Sequence, residues 1–154
     1  MLGGSDDHYY HGPLIYFPVA DHGQWNVNLA SVRIMGREYC GQSCQSTENC
    51  GERCKNTAFI DTGSSCIVGP ADKVRQLNAR LGAIPPLNPS GLYRLECDTV
   101  DLLPDVEFVL GVGVNSTCFT LSHKDYVIEI NGQCYSAIYS RPDSVDWTLG
   151  DTFM

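Results

Sequence analysis

The 154-residue sequence is poor in positive charge: ten Lys and Arg stand against eighteen Asp and Glu, a formal net charge of −8. The basic residues are scattered along the chain, which argues against a phosphate-tracking surface for nucleic acid and against an anionic membrane surface. No stretch approaches the roughly 18 to 20 consecutive apolar residues of a membrane-spanning helix. The opening residues, MLGGSDDHYYHGPL, have neither a basic start nor an apolar run, so no secretory signal is read there. A Gly-rich phosphate loop, an HExxH pair and a nucleophile-elbow serine are all missing, as are internal repeats, low-complexity tracts and clear linkers. No metal and no cofactor is implied.

What is present fits one globular domain: 43% of residues are hydrophobic, enough for a core at this length. Eight cysteines are many for a cytosolic chain, and Asn115-Ser116-Thr117 is a glycosylation sequon. Together they place the protein on the secretory route, secreted or endolysosomal. A secreted-type chain without a leader is expected to be missing its beginning.

Short apolar runs alternate with turn signals. Strands are expected over Leu14 to Val19, through Trp25, Val27 and Leu29, and over Val32 to Met35, Ala58 to Ile60 and Cys66 to Val68. Later ones are Val106 to Leu110, Cys118 to Leu121, Tyr126 to Ile130 and Trp147 to Leu149. The fold class is mainly β. One main helix follows Pro70, with Val74, Leu77 and Leu81 on one face, Asp72 in the first turn, Arg80 near the end and Gly82 as the stop. Lys73, Arg75, Gln76 and Asn78 make its solvated side. Residues 83–92 form a Pro-rich connection, and the polar, cysteine-rich stretch 41–57 reads as a surface insertion.

The most informative stretch is AFIDTGSSCIVGP, residues 58–70, where an apolar strand runs into Asp61-Thr62-Gly63-Ser64 and a second apolar strand leaves toward Pro70. A carboxylate on a tight loop between two buried strands can be kept from water and aimed at a substrate. Gly63 lets the backbone turn sharply, while Thr62 and Ser64 supply hydroxyls for the loop or for a ligand. Carboxylate-driven peptide hydrolysis uses two such groups about 3 Å apart, sharing a proton: one takes a proton from the attacking water and the other protonates the leaving group. All 154 residues hold a single Asp-Thr/Ser-Gly. Alone, Asp61 is expected to have an ordinary pKa and little hydrolytic power; the plain alternative is an Asx-type turn in a β-hairpin.

The chain resembles the C-terminal lobe of pepsin-like aspartic proteases (peptidase family A1), nearest in pattern to the cathepsin D-like members. The resemblance runs through LGGSDDHYYHGPLIYFPV, QWNVNLASVRIMG, AFIDTGSSCIVGP, ADKVRQLNARLGA, LYRLECDTVDLLPDVEFVLG and WTLGD in family order. It implies a single lobe of the bilobal acid-protease fold, with Asp61 as one of two catalytic aspartates. Thr62 matches a threonine that braces the partner loop, and Gly63 and Ser64 match positions lining the cleft and meeting substrate. Leu149 and Gly150 match the pair behind that loop, and Asp151 is a structural neighbour. The N-terminal lobe, with the other Asp-Thr-Gly and the flap tyrosine, has no counterpart, and the pattern stops short of the family's last strands. The expectation is a fragment, residues 1–154 being an incomplete C-terminal lobe that is inactive alone. In the intact enzyme it takes an extended peptide or protein substrate.

The resemblance also suggests a Cys97–Cys134 disulfide. Cys40/Cys44 and Cys50/Cys54 form two Cys-x3-Cys pairs, one of them an apparent insertion. A four-thiolate zinc site is the alternative there, with oxidation favoured by the compartment. Cys66 and Cys118 are expected to pair with each other or stay buried. Cys66 as a nucleophile, served by His8, His11, His22 or His123, is set against a buried structural thiol, which is preferred because no cysteine-protease signature surrounds it. Asp101, Asp105, Asp125, Asp143 and Asp146 lack the strand-loop-strand setting, and Trp25 and Trp147 read as core or cleft-wall aromatics. Two other functional readings stand beside the lobe: a retropepsin-like homodimer donating Asp61 twice, and a non-catalytic peptide-binding lobe.

Overall fold

The computed structural model describes residues 4–20, 23–40 and 57–154. Its strands are β1 (Asn26–Ile34), β2 (Arg37–Cys40), β3 (Thr57–Ile60), β4 (Ile67–Val68), β5 (Tyr93–Leu95), β6 (Val106–Leu110), β7 (Thr117–Leu121), β8 (Val127–Ile130), β9 (Gln133–Ser136), β10 (Ile138–Tyr139) and β11 (Trp147–Leu149). Helices α1 (Ala71–Arg80) and α2 (His123–Tyr126) join short 3-10 turns between them. Among the described residues the strands form an eight-stranded sheet in the order β10-β4-β11-β3-β1-β6-β7, with β2 on β1, and a three-stranded sheet β5-β9-β8. The fold is mainly β, in keeping with one lobe of the pepsin-like architecture.

Alternation fixes the central strands. In β1, Leu29, Val32 and Ile34 are buried, and they pair across β6 with Leu110, Phe108 and Val106, all of them also buried. The two runs expected on either side of Ala30 form one continuous strand, with its register shifted between Leu29 and Ser31. Removing this much apolar surface from water is the dominant favourable contribution to the fold. Trp147, at 1% exposure, packs its ring edge-on against Phe108 with centroids 5.6 Å apart.

Helix α1 starts at Pro70 and buries Val74 and Leu77, with Leu81 buried at its end. Gly82 then adopts a positive φ of 69°, a conformation glycine takes at little cost, and ends the helix. Asn78 corrects the expectation of a solvated polar face. It is 0% exposed, and its Nδ2 donates to Val74 O at 3.1 Å and to Ile138 O at 2.8 Å, tying the helix to β10.

Other expectations shift for local reasons. Leu14 to Val19 is no strand: only Val19 bridges, to Val27, while Leu14, Ile15 and Tyr16 are exposed. Pro13 precedes the run and Pro18 sits within it, and neither has an N–H to give to a ladder. Tyr126 belongs to α2 because Asp125 caps that turn, accepting from both the N–H and the hydroxyl of Ser122 at 2.7 and 2.8 Å. Strands β2, β5, β9 and β10 were not marked by clear apolar runs. Cys97 and Cys134 are joined by a disulfide, with their Cα atoms 5.3 Å apart. Cys44, Cys50 and Cys54 and the stretch 41–56 lie outside the described residues, as does the side chain of Cys40. Among the described residues Cys66 and Cys118 have no disulfide partner, and neither is fully buried; Cys118 is exposed on β7.

Candidate active site

Strand β3 delivers Asp61 and β4 carries the chain away, yet the two strands are not neighbours. Between them runs β11, parallel to β3 through Trp147–Ala58, Thr148–Phe59 and Leu149–Ile60, and antiparallel to β4 at Thr148–Val68. A simple hairpin turn is therefore excluded; the Asp61 loop arches over the end of β11. β3 is only partly buried, since Thr57, Phe59 and Ile60 all keep some exposure.

The end of β11 anchors that arch. Asp61 N–H donates to Leu149 O at 3.0 Å, and Asp151 N–H donates to Ser64 O at 2.8 Å. Thr152 gives both its N–H and its hydroxyl to Ser65 O, at 3.1 and 2.9 Å. Gly150 sits where no side chain fits: a Cβ there would run into Ser64 O and stand 2.6 Å from Cys66 O. Gly69 performs a similar task after β4, since a Cβ would lie 2.7 Å from the Trp147 ring. Sequence reasoning missed Gly69 because nothing local shows that a tryptophan 78 positions later packs on its backbone.

Both carboxylate oxygens of Asp61 are held. Gly63 N–H donates to Oδ1 at 2.9 Å and the Ser64 hydroxyl donates to Oδ2 at 2.7 Å, while Ser64 N–H reaches Asp61 O at 3.1 Å. These bonds favour the ionised form. The Ser64 hydroxyl, and next the Gly63 N–H, hold the carboxyl below its ordinary value; slight burial works the other way, and the positive charge of Arg141 adds to the lowering. The expected ordinary pKa is thus corrected, and the cause is hydrogen bonding, not removal from water, because Asp61 stays partly exposed. Thr62 is exposed, and its hydroxyl has no hydrogen-bond partner among the described residues.

Arg141 is the site residue that the sequence did not reveal. It lies 80 positions from Asp61, on the segment that follows β10, and its positive charge is the last of the influences on that carboxyl.

The remaining candidates fall elsewhere. Burial pushes the Cys66 thiol up, and the Asp151 charge adds to the rise, which makes it a poor nucleophile. His123 Nε2 lies 3.3 Å from an Asp101 carboxylate oxygen and His8 Nδ1 lies 2.7 Å from Asp6, so both histidines are occupied away from the loop. His11 is exposed and His22 lies outside the described residues. Asp146 accepts from the Thr57 hydroxyl at 3.3 Å. Trp147 is core, whereas Trp25 is 73% exposed beside Phe59 and Thr148.

The Asp61 carboxylate is thus gripped from both sides on a loop braced by an interleaved strand. A family model described as Eukaryotic aspartyl protease matches residues 1–154, and the chain belongs to that family. Among curated relatives it is 35% identical to Napsin-A of Mus musculus and 35% identical to Cathepsin D of Canis lupus familiaris, each across 100% of this chain and 35% of the relative. It is 32% identical to Cathepsin E of Oryctolagus cuniculus over 99% of this chain and 36% of the relative. The chain therefore spans about a third of the length of the curated relatives it matches. Among the described residues, no helix is long and apolar enough to cross a membrane.

Proposed function

We propose that these 154 residues are the C-terminal lobe of an aspartic endopeptidase, supplying Asp61 and half of a cleft for an extended peptide. The observation that carries this reading is the double grip on Asp61 by Ser64 and Gly63 at the head of the β3-β11-β4 arrangement. Family membership supports it. By itself Asp61 is an ionised, hydrogen-bonded carboxylate. Set about 3 Å from a second carboxylate, it shares one proton with it, so that one member activates water and the other protonates the leaving group. In this reading the second carboxylate comes from an N-terminal lobe outside this sequence, and Thr62, which is exposed, braces that lobe's loop.

The test is reconstitution: the chain fused behind an N-terminal lobe with its own Asp-Thr-Gly is assayed for peptide hydrolysis at acid pH. Activity that disappears in Asp61→Ala, together with none from the 154 residues alone, is the expected result. Hydrolysis by the chain alone would show that two copies donate Asp61. Peptide binding without hydrolysis in the fused protein would make this a non-catalytic lobe.

The same reading places the protein on the secretory route, in a secreted or endolysosomal compartment. Asn115 is exposed at the tip between β6 and β7, within the Asn115-Ser116-Thr117 sequon, and is open to glycan transfer. Secretory expression is expected to yield a form whose mass falls on N-glycosidase treatment; Asn115→Gln removes the shift, and an unshifted wild type would count against the route.

A further inference from the structure

We propose that the depression beside Asn115 seats the first sugar of an N-glycan carried by Asn115 itself, an inference that rests on the secretory reading above. The depression measures about 440 Å³, the size of a small-ligand site, and Ile15, Tyr16, Phe17, Val112, Val114 and Asn115 all line it. No Asp, Glu, Lys, Arg or His is among its lining residues, so it offers nothing to an ion and suits a neutral ligand with an apolar face. Ile15, Tyr16, Val112 and Val114 are exposed there, Tyr16 to 84%. A soluble domain that leaves such a group of apolar side chains in water has a use for it.

Asn115 is held at the edge of that group. The N–H and hydroxyl of Ser116 donate to Gly113 O at 3.2 and 2.8 Å, and Asn115 N–H donates to Val112 O at 3.2 Å, which closes the turn between β6 and β7. Gly111, at a φ of 102°, lets the tip fold back until a Cβ there would stand 2.6 Å from Asn115 O. The carrier of the glycan is thereby part of the wall it would cover. Attachment is an N-glycosidic bond: Asn115 Nδ2 displaces the diphosphate of a lipid-linked oligosaccharide donor at the anomeric carbon of its first N-acetylglucosamine, and gives up one proton as the diphosphate leaves. One face of that sugar is a set of C–H bonds, which packs on the electron-rich face of an aromatic ring such as Tyr16. Its hydroxyls stay in water or reach the side-chain amide of Asn28, which lines the same depression and has no hydrogen-bond partner among the described residues. A tethered sugar avoids the entropy loss of a free ligand, so a weak contact is enough to seat it.

The test uses the whole chain, secreted from eukaryotic cells and trimmed with an endoglycosidase that leaves one N-acetylglucosamine on Asn115. Asn115→Gln, secreted in the same way, is the sugar-free reference. Urea unfolding of both is repeated with Tyr16→Ala, which removes an exposed ring and so leaves the bare fold intact. The sugar is expected to raise the folded-to-unfolded ratio about threefold to tenfold when Tyr16 is present, the scale of a ring contact, and to lose that gain with Tyr16→Ala. NMR should show nuclear Overhauser contacts from the sugar C–H protons to the Tyr16 ring. No gain, an equal gain in both backgrounds, or absence of those contacts would each overturn the seating. So would a Tyr16-dependent dimer of Asn115→Gln in sedimentation without any gain from the sugar, which would give the depression to a second copy of the chain. The secretory reading fails separately: an Asn115 that emerges bare from the secretory route sinks that reading and this inference with it, whereas a sugar that is present but indifferent to Tyr16 sinks only the seating.

Discussion

The carbonyl of Ser64 occupies the space that a side chain on Gly150 would need. Ser64 supplies a hydroxyl to Asp61, and Gly150 ends the strand that supports the loop, so the site depends on a close approach between two stretches of backbone. Backbone atoms cannot rotate away as a side-chain tip can. Gly150→Ala is therefore expected to destabilise the chain by about 3 kcal/mol, the upper end for overpacking, read as a lower urea midpoint at unchanged slope. It should also loosen the Asp151-to-Ser64 bond. A midpoint within error of wild type would show that the loop relaxes freely.

Ser64→Ala removes the largest of the influences that lower the Asp61 pKa. The carboxyl should titrate higher in the variant, followed by the NMR shift of its Cγ against pH. For wild type, a folded pKa below the unfolded one means that this carboxylate's contribution to stability is complete above the ordinary value of 3.8 and is lost as pH falls through the lowered folded value. The variant should lose less on acidification across that window. An unshifted titration would mean that the hydroxyl bond is not formed in solution.

Asn78 is buried with its amide donating to two carbonyls, so donors are what this position requires. Asn78→Ala removes the shorter of the two bonds to Ile138 O and leaves only the 3.4 Å bond from the Ser136 hydroxyl, at a cost of about 0.5 to 1.5 kcal/mol. Asn78→Asp is expected to be worse near neutral pH, because it sets a buried carboxylate against two carbonyl oxygens. Burial raises the pKa of that carboxyl in the folded state, so the penalty should ease as pH falls and the protonated form takes over. Chemical denaturation of both variants at two pH values checks the order. Equal stabilities, independent of pH, would place Asn78 in a wetter setting than the structure shows.

What the sequence disclosed follows from which contacts are local. Asp61-Thr62-Gly63-Ser64 is contiguous, and its internal bonds span only two or three residues, so the loop could be recognised from the string alone. Trp147 to Leu149 was legible as a strand because it is short and apolar, but its insertion between β3 and β4 depends on pairing across about 80 to 90 positions, which no period records. Asn78 was misplaced on the solvated face because a buried asparagine looks polar until Ile138 O is brought to it. Arg141 gave no signal at all, since an electrostatic influence across 80 positions leaves no local pattern.

The Cys97–Cys134 bridge closes a sequence separation of 37 and fastens the 3-10 turn after β5 to β9, where Leu95 and Cys134 already face one another in the ladder. The strands therefore keep their register without it, and the bridge acts mainly on the unfolded chain. For a loop of this length the entropy of closure corresponds to about 3 to 4 kcal/mol near 25 °C. Replacing both cysteines by serine should lower stability by that amount, with the amide chemical shifts of β5 and β9 nearly unchanged outside the two positions. Two outcomes would contradict this account: a loss well under 1 kcal/mol, or loss of the three-stranded sheet itself. The first would mean that the reduced chain retains the closure when unfolded, and the second that the ladder needs the bridge to form.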